Sequence, residues 1–135
     1  AALRLGDAVI LEGAAANSAV RCALGAADLF VLSCRQGQDG DRDGIPVALM
    51  EAMACGVCTV SGDLPTIREL IDDGVNGFLI PSGGTAVLAR VLGRLLRNPN
   101  ERCAVAAAGR RRIEDEFSLA LNSLRLREAF AKLAT

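Results

Sequence analysis

The stretch DLFVLSCRQGQDGDRDGIPVALMEAMACGVCTVS, residues 28–61, decides the fold. It opens with an almost unbroken apolar run at 28–34, the pattern of a parallel strand buried on both faces. A Gly- and Asp-rich loop follows at 35–44. Pro46 then suits the first turn of a helix, where its missing N–H costs nothing. That helix is expected over 46–55 and stops at Gly56, a natural C-terminal cap. VCTVS, residues 57–61, reads as the next strand. Strand, helix and strand in this order make a βαβ unit, whose crossover joins two parallel strands.

Working outward, AVILEG at 8–13 reads as a further strand and 17–27 as a helix capped by Asn17 or Ser18. On the other side, GDLP is a turn, 65–74 a short helix with Pro first and Gly last, and 76–81 a strand. From residue 84 the pattern is helical, with breaks at Asn98–Pro99 and Phe117–Ser118 and with Ser118 as an N-cap. The expected class is α/β: a Rossmann-like, mainly parallel sheet with flanking helices, ending in helices. Ligands of such sheets bind beyond the carboxyl ends of the strands. The loop from Cys34 to Ile45, the longest polar loop in the chain, lies at such a place.

Composition narrows the chemistry. With 135 residues the chain fits one domain, and 51% hydrophobic residues mean that it folds. Aromatics are only 3%, without Trp or Tyr, which argues against stacking platforms for single-stranded nucleic acid or aromatic sugar shelves. A net charge of -1 offers no basic excess for nucleic acid or anionic lipid. Arg110, Arg111 and Arg112 point in different directions around a helix and read as a solvated face. The chain has no His, so the commonest general base and metal ligand is missing. Five cysteines, an odd number without a regular framework, indicate a reduced, cytoplasmic setting. No run approaches about 18 apolar residues. Residue 1 is Ala and AALRLGD reads as the end of a helix, so the chain is expected to be a piece of a longer or processed one.

Three features of the central stretch compete for function. Asp39, Asp41, Asp43 and Gly44 match the first half of an EF-hand loop, but its twelfth position, the bidentate Glu, falls on Met50, and Glu51 comes one residue late. Cys55 and Cys58 form a CxxC pair at the end of a helix, where the dipole disfavours thiolate, and zinc would need about two further ligands. Glu51 is a single carboxylate in the run IPVALMEAMAC, a helix expected to be packed nearly all round. Such a carboxylate is costly unless paired. Its partner is either an Arg of the fold, with Arg68 the candidate, or the hydroxyls of a ligand. Asp43 lies eight residues earlier, and between the two falls the helix start, whose free N–H groups near Gly44, Ile45 and Val47 suit an anion. Carboxylate, anion site, carboxylate is the layout that a nucleoside-diphosphate sugar would match.

The string DRDGIPVALMEAMACGVCTVSGDLPTIRELIDDGVNGFLIPSGG, residues 41–84, resembles the donor-binding region of the family 4 retaining glycosyltransferases of GT-B fold. The resemblance extends over about residues 5 to 135 and is strongest from 28 to 84. The family's Glu-x7-Glu signature puts its second Glu on Glu51, which implies contact with the ribose hydroxyls. Its first position falls on Asp43, one methylene shorter, which implies contact with the donor sugar. By the same resemblance the backbone of Gly44, Ile45 and Pro46 meets the diphosphate and sugar, supported by the helix start from Val47 to Leu49. The donor would be a UDP-, GDP- or ADP-sugar, with no metal or other cofactor. Cys58 stands where the family often has Pro.

The resemblance also implies what the chain lacks: an N-terminal acceptor domain, the basic phosphate-binding pair, and the first two strands of the donor domain. In the strand order 3-2-1-4-5-6, residues 8–13 would be the third strand and 28–34 the fourth. Residues 1–135 are thus expected to be a partial donor domain, inactive alone, with any peripheral membrane contact left to the missing domain. A calcium-binding module and a non-catalytic α/β interaction domain are the rival readings.

Overall fold

The computed structural model of the chain describes residues 5–34 and 44–133. Its centre is a three-stranded parallel sheet in the order β1 (Leu29–Leu32), β2 (Cys58–Gly62), β3 (Phe78–Ile80). The register runs from Leu29 opposite Cys58 to Leu32 opposite Ser61, and from Val60 opposite Phe78 to Gly62 opposite Ile80. Helix α1 (Asn17–Ala26) precedes β1, α2 (Val47–Ala54) crosses from β1 to β2, and α3 (Thr85–Arg97), α4 (Pro99–Glu116) and α5 (Leu119–Leu133) follow β3. The α/β class and the βαβ unit are as the sequence predicts.

Alternation along the strands divides the core into two layers. Cys58, Val60, Phe78 and Ile80 pack with Leu95 of α3 and with Val105 and Ala106 of α4. On the other face Leu49 and Met53 of α2 join Ile67, Leu70 and Ile71. All five residues of β2 are buried, because β2 alone has a strand on each side. Helix α2 ends as expected: Gly56 takes φ +74°, a left-handed conformation that costs Gly little. Arg102 ties the helical half to the sheet, donating to the Leu95 carbonyl at 2.9 Å and to Asp28 at 2.6 Å. Arg110 pairs with Glu114 and Arg112 with Glu116 along α4, while Arg112 also reaches the Glu69 carbonyl. At the sheet's far side the Asp73 carboxylate accepts the Leu79 N–H at 2.9 Å.

Several local expectations are corrected. Residues 9–13 form no strand: nothing among the described residues pairs with them, and Val9, Ile10 and Leu11 are 52%, 74% and 92% exposed. β1 lies at a sheet edge and is half-buried, and it is not covered on both faces, since Val31 is exposed. Helix α1 begins after Ala16, and no side chain caps it, neither Asn17 nor Ser18. The helix expected over 65–74 is only a 3-10 turn, Ile67–Glu69. The buried Asn76 explains this: its Oδ1 accepts the Asp72 N–H at 2.8 Å and its Nδ2 donates to the Leu70 carbonyl, so a side chain takes the partners that further helix would need. Ser118 does act as a cap, its hydroxyl accepting the Leu121 N–H.

Candidate functional site

Three chain segments meet beyond the carboxyl ends of the strands. They are the exit of β1, the end of β2 with its following turn, and the junction of β3 with α3. Between them lies a cleft of about 110 Å³, bordered by Ser33 and Cys34, by Ser61 and Gly62, and by the run from Pro81 to Thr85. A second, more open hollow of about 510 Å³ lies beside Asp63, Arg68, Asp72 and Asp73. Neither is lined by Glu51 or by the start of α2.

The α2 start sits at the same end of the sheet, since the helix leaves from the β1 side and returns to β2. Pro46, with ψ 123°, is its N-cap, and the Pro46 carbonyl accepts the N–H groups of Leu49 and Met50. The N–H groups of Val47 and Ala48 have no acceptor among the described residues. They are the positive end of the helix dipole, available to an anion. Gly44 and Val47 are exposed, Ile45 and Pro46 half-buried. Leu49 is fully buried against Ile67 and Leu70, so its part in any site is to hold the helix in place.

Glu51 is exposed, which corrects the picture of a helix packed all round. Leu49, Ala52 and Met53 form the buried face, and Val47, Ala48, Glu51 and Ala54 the open one. Glu51 therefore stands on the same face as Val47, one turn and about 6 Å along the axis from the unbonded N–H groups. Its carboxylate has no ion pair or hydrogen bond among the described residues, and Arg68 is not its partner. Arg68 instead clamps Asp63, Nε to Oδ1 at 2.6 Å and Nη2 to Oδ2 at 2.7 Å. That hydrogen-bonded guanidinium holds the Asp63 carboxyl below its ordinary range. The sequence pattern puts Asp63 in a turn and Arg68 in the expected helix over 65–74, and does not itself pair the two. An Asp and an Arg five residues apart, bracketing Leu64 and Ile67, were the available signal.

Asp43, the other candidate carboxylate, and Asp39 and Asp41 of the calcium reading lie outside the described residues. Met50, at the twelfth position of that loop, packs against the core. Cys58 is buried in β2, and burial pushes its thiol up to about 11, with nearby Arg102 pulling the other way. A thiol so shifted is a poor nucleophile and metal ligand at neutral pH. Cys55 and Cys58 are both free. Among the described residues no group of three or more His, Cys, Asp or Glu side chains could hold a metal ion. No helix of the described residues is long and apolar enough to cross a membrane.

The parallel sheet with its crossover helix finds its counterpart among known proteins. Residues 1–98 match the family described as glycosyl transferases group 1. The chain belongs to this family. The amylovoran biosynthesis glycosyltransferase AmsK of Erwinia amylovora is 39% identical over 130 residues, covering 96% of this chain and 32% of that protein. Among solved structures, the sucrose-phosphate synthase of Thermosynechococcus elongatus superposes with a TM-score of 0.80 at 22% identity, covering 96% of this chain and 31% of that one. Anabaena HepE in complex with UDP superposes with a TM-score of 0.72 at 21% identity, covering 82% and 29%. These structural likenesses show the fold, which is that of GT-B glycosyltransferases. This group 1 glycosyl transferase chain spans about a third of the length of the curated relatives it matches.

Proposed function

We propose that this chain is the nucleotide-sugar-binding part of a retaining glycosyltransferase that moves a sugar from a nucleoside-diphosphate donor to an acceptor hydroxyl. The observation that carries the reading is Glu51, exposed and unpaired among the described residues on the open face of α2, one turn from two N–H groups without acceptors. A carboxylate accepts hydrogen bonds from the paired hydroxyls of a ribose. The helix start takes the diphosphate. As the bond from the anomeric carbon to the diphosphate oxygen breaks, its electron pair leaves with the nucleotide, and dipoles fixed on that developing charge lower the barrier. Asp43 is assigned to the donor sugar. The acceptor, and any contact with a membrane, belong to the remainder of a longer cytoplasmic protein, and the present chain alone transfers no sugar.

Support comes from the family and from HepE, which was crystallised with UDP. The test is a titration of the full-length protein with UDP, GDP and ADP while its thermal unfolding is followed. A ligand bound only by the folded state at a hundredfold excess over Kd adds about 2.7 kcal/mol. One nucleotide should raise the melting temperature, and Glu51→Ala should abolish most of that rise while melting unliganded as the parent does. A rise untouched by Glu51→Ala would remove Glu51 from the site. No rise with any of the three would remove the donor reading.

A further inference from the structure

We propose that Gly62 is a positioning residue for the nucleotide-sugar site, an inference that rests on the donor-binding reading above. Gly62 closes β2 at the point where the chain leaves β1. A Cβ at this position would lie 2.2 Å from the Cys34 carbonyl oxygen, 3.0 Å from its carbonyl carbon and 3.1 Å from its nitrogen. These are backbone atoms, so no side-chain rotation relieves the overlap, and one of the two peptides must move. A glycine in a strand commonly marks such a close approach of another backbone.

β1 cannot yield as a whole. The Leu32 carbonyl accepts both the Ser61 hydroxyl at 3.0 Å and the Cys34 N–H at 2.9 Å, and β1 is held in register with β2 along its length. The displacement therefore falls on the Ser33–Cys34 peptide. Cys34 packs against the buried group that includes Leu49, Ile67 and Leu70. Ile45 packs against the same group and immediately precedes Pro46, whose carbonyl opens α2. A shift at Cys34 thus reaches the α2 start through packed side chains, independently of the connecting loop. Close-packed interiors transmit such shifts because they have no slack to absorb them. The bare Cα of Gly62 sets the exit of β1, and the exit sets where the diphosphate-binding helix begins.

The experiment measures nucleotide affinity calorimetrically in the full-length protein for the parent, Gly62→Ala and Leu95→Ala. Leu95 is fully buried on the opposite face of the sheet from α2 and serves as a purely structural control. With whichever of UDP, GDP or ADP the parent binds, Gly62→Ala should raise Kd about tenfold or more, since a misplacement of about 1 Å at a site is that costly. Leu95→Ala should lower the melting temperature at least as much and leave Kd within about twofold, as remote sites act independently. Parent-like affinity in Gly62→Ala overturns the proposal. A parent that binds none of the three nucleotides overturns the donor reading itself, a result read before any variant is made. If Gly62→Ala fails to fold, Cys34→Ala decides. It adds no atoms and truncates the side chain through which the β1 exit packs against the group shared with Ile45, so a raised Kd supports the proposal and an unchanged one overturns it.

Discussion

Residues 9–13, VILEG, and β2, CTVSG, are the same length, and the first is the more apolar. Yet β2 is buried at every position, while Val9, Ile10 and Leu11 are mostly exposed. The difference lies in their neighbours. β2 has β1 and β3 on its edges, α2 over one face and α3 and α4 over the other. The earlier segment has no strand beside it among the described residues. Hydrophobicity says that a segment could be buried, and strand partners decide whether it is.

The contrast can be broken most sharply at the centre. Ile67→Ala, in the turn that α2 and the sheet enclose, should cost about 2–5 kcal/mol through lost contacts and a residual cavity. Urea unfolding of the full-length protein measures this. A loss below about 1 kcal/mol would mean that the centre is no better packed than the periphery. Next is Gly56→Ala. Its φ of +74° is unfavourable for a residue with a Cβ, so the expected loss is about 1–2 kcal/mol, with nucleotide affinity retained. The smallest effect belongs to the exposed Asp63–Arg68 pair. The Asp63 carboxyl is lowered in the folded state, so its contribution is present above the ordinary carboxylate range near about 3.9 and disappears as pH falls through the lowered value. Asp63→Asn should therefore separate from the parent in urea midpoint only slightly at neutral pH. The gap should close in acid and shrink in high salt. A gap that persists unchanged in acid would assign the loss to something other than the ion pair.

The βαβ centre was legible because its signals agree. The apolar runs at 28–34 and 57–61, Pro46 and Gly56 all point the same way, and consistency between levels is what specifies a fold. Glu51 stood out as the one charge in an apolar helix, but its exposure and its lack of Arg68 as a partner were not legible. What the sequence could not show was which face of α2 is covered. Leu49, Ala52 and Met53 are buried while Val47 and Ala54 are open, although all five are apolar or small. The missing helix at 65–74 escaped for a different reason. Its local pattern is helical, but Asn76, several residues further on, claims the Leu70 and Asp72 backbone groups. The close passage of Cys34 over Gly62 is a tertiary contact between residues 28 apart, and the only trace it leaves in the sequence is a glycine at the end of an apolar strand.

The Asp73 carboxylate on the Leu79 N–H has a consequence for pairing at the edge of the sheet. A strand approaching β3 from outside would have to evict a charged group from the donor that it needs. Among the described residues no carboxylate accepts a backbone N–H along the free side of β1, where Val31 lies exposed. The two borders of the sheet therefore differ in how they meet an approaching strand. A single aspartate thus discourages stray pairing at the β3 border.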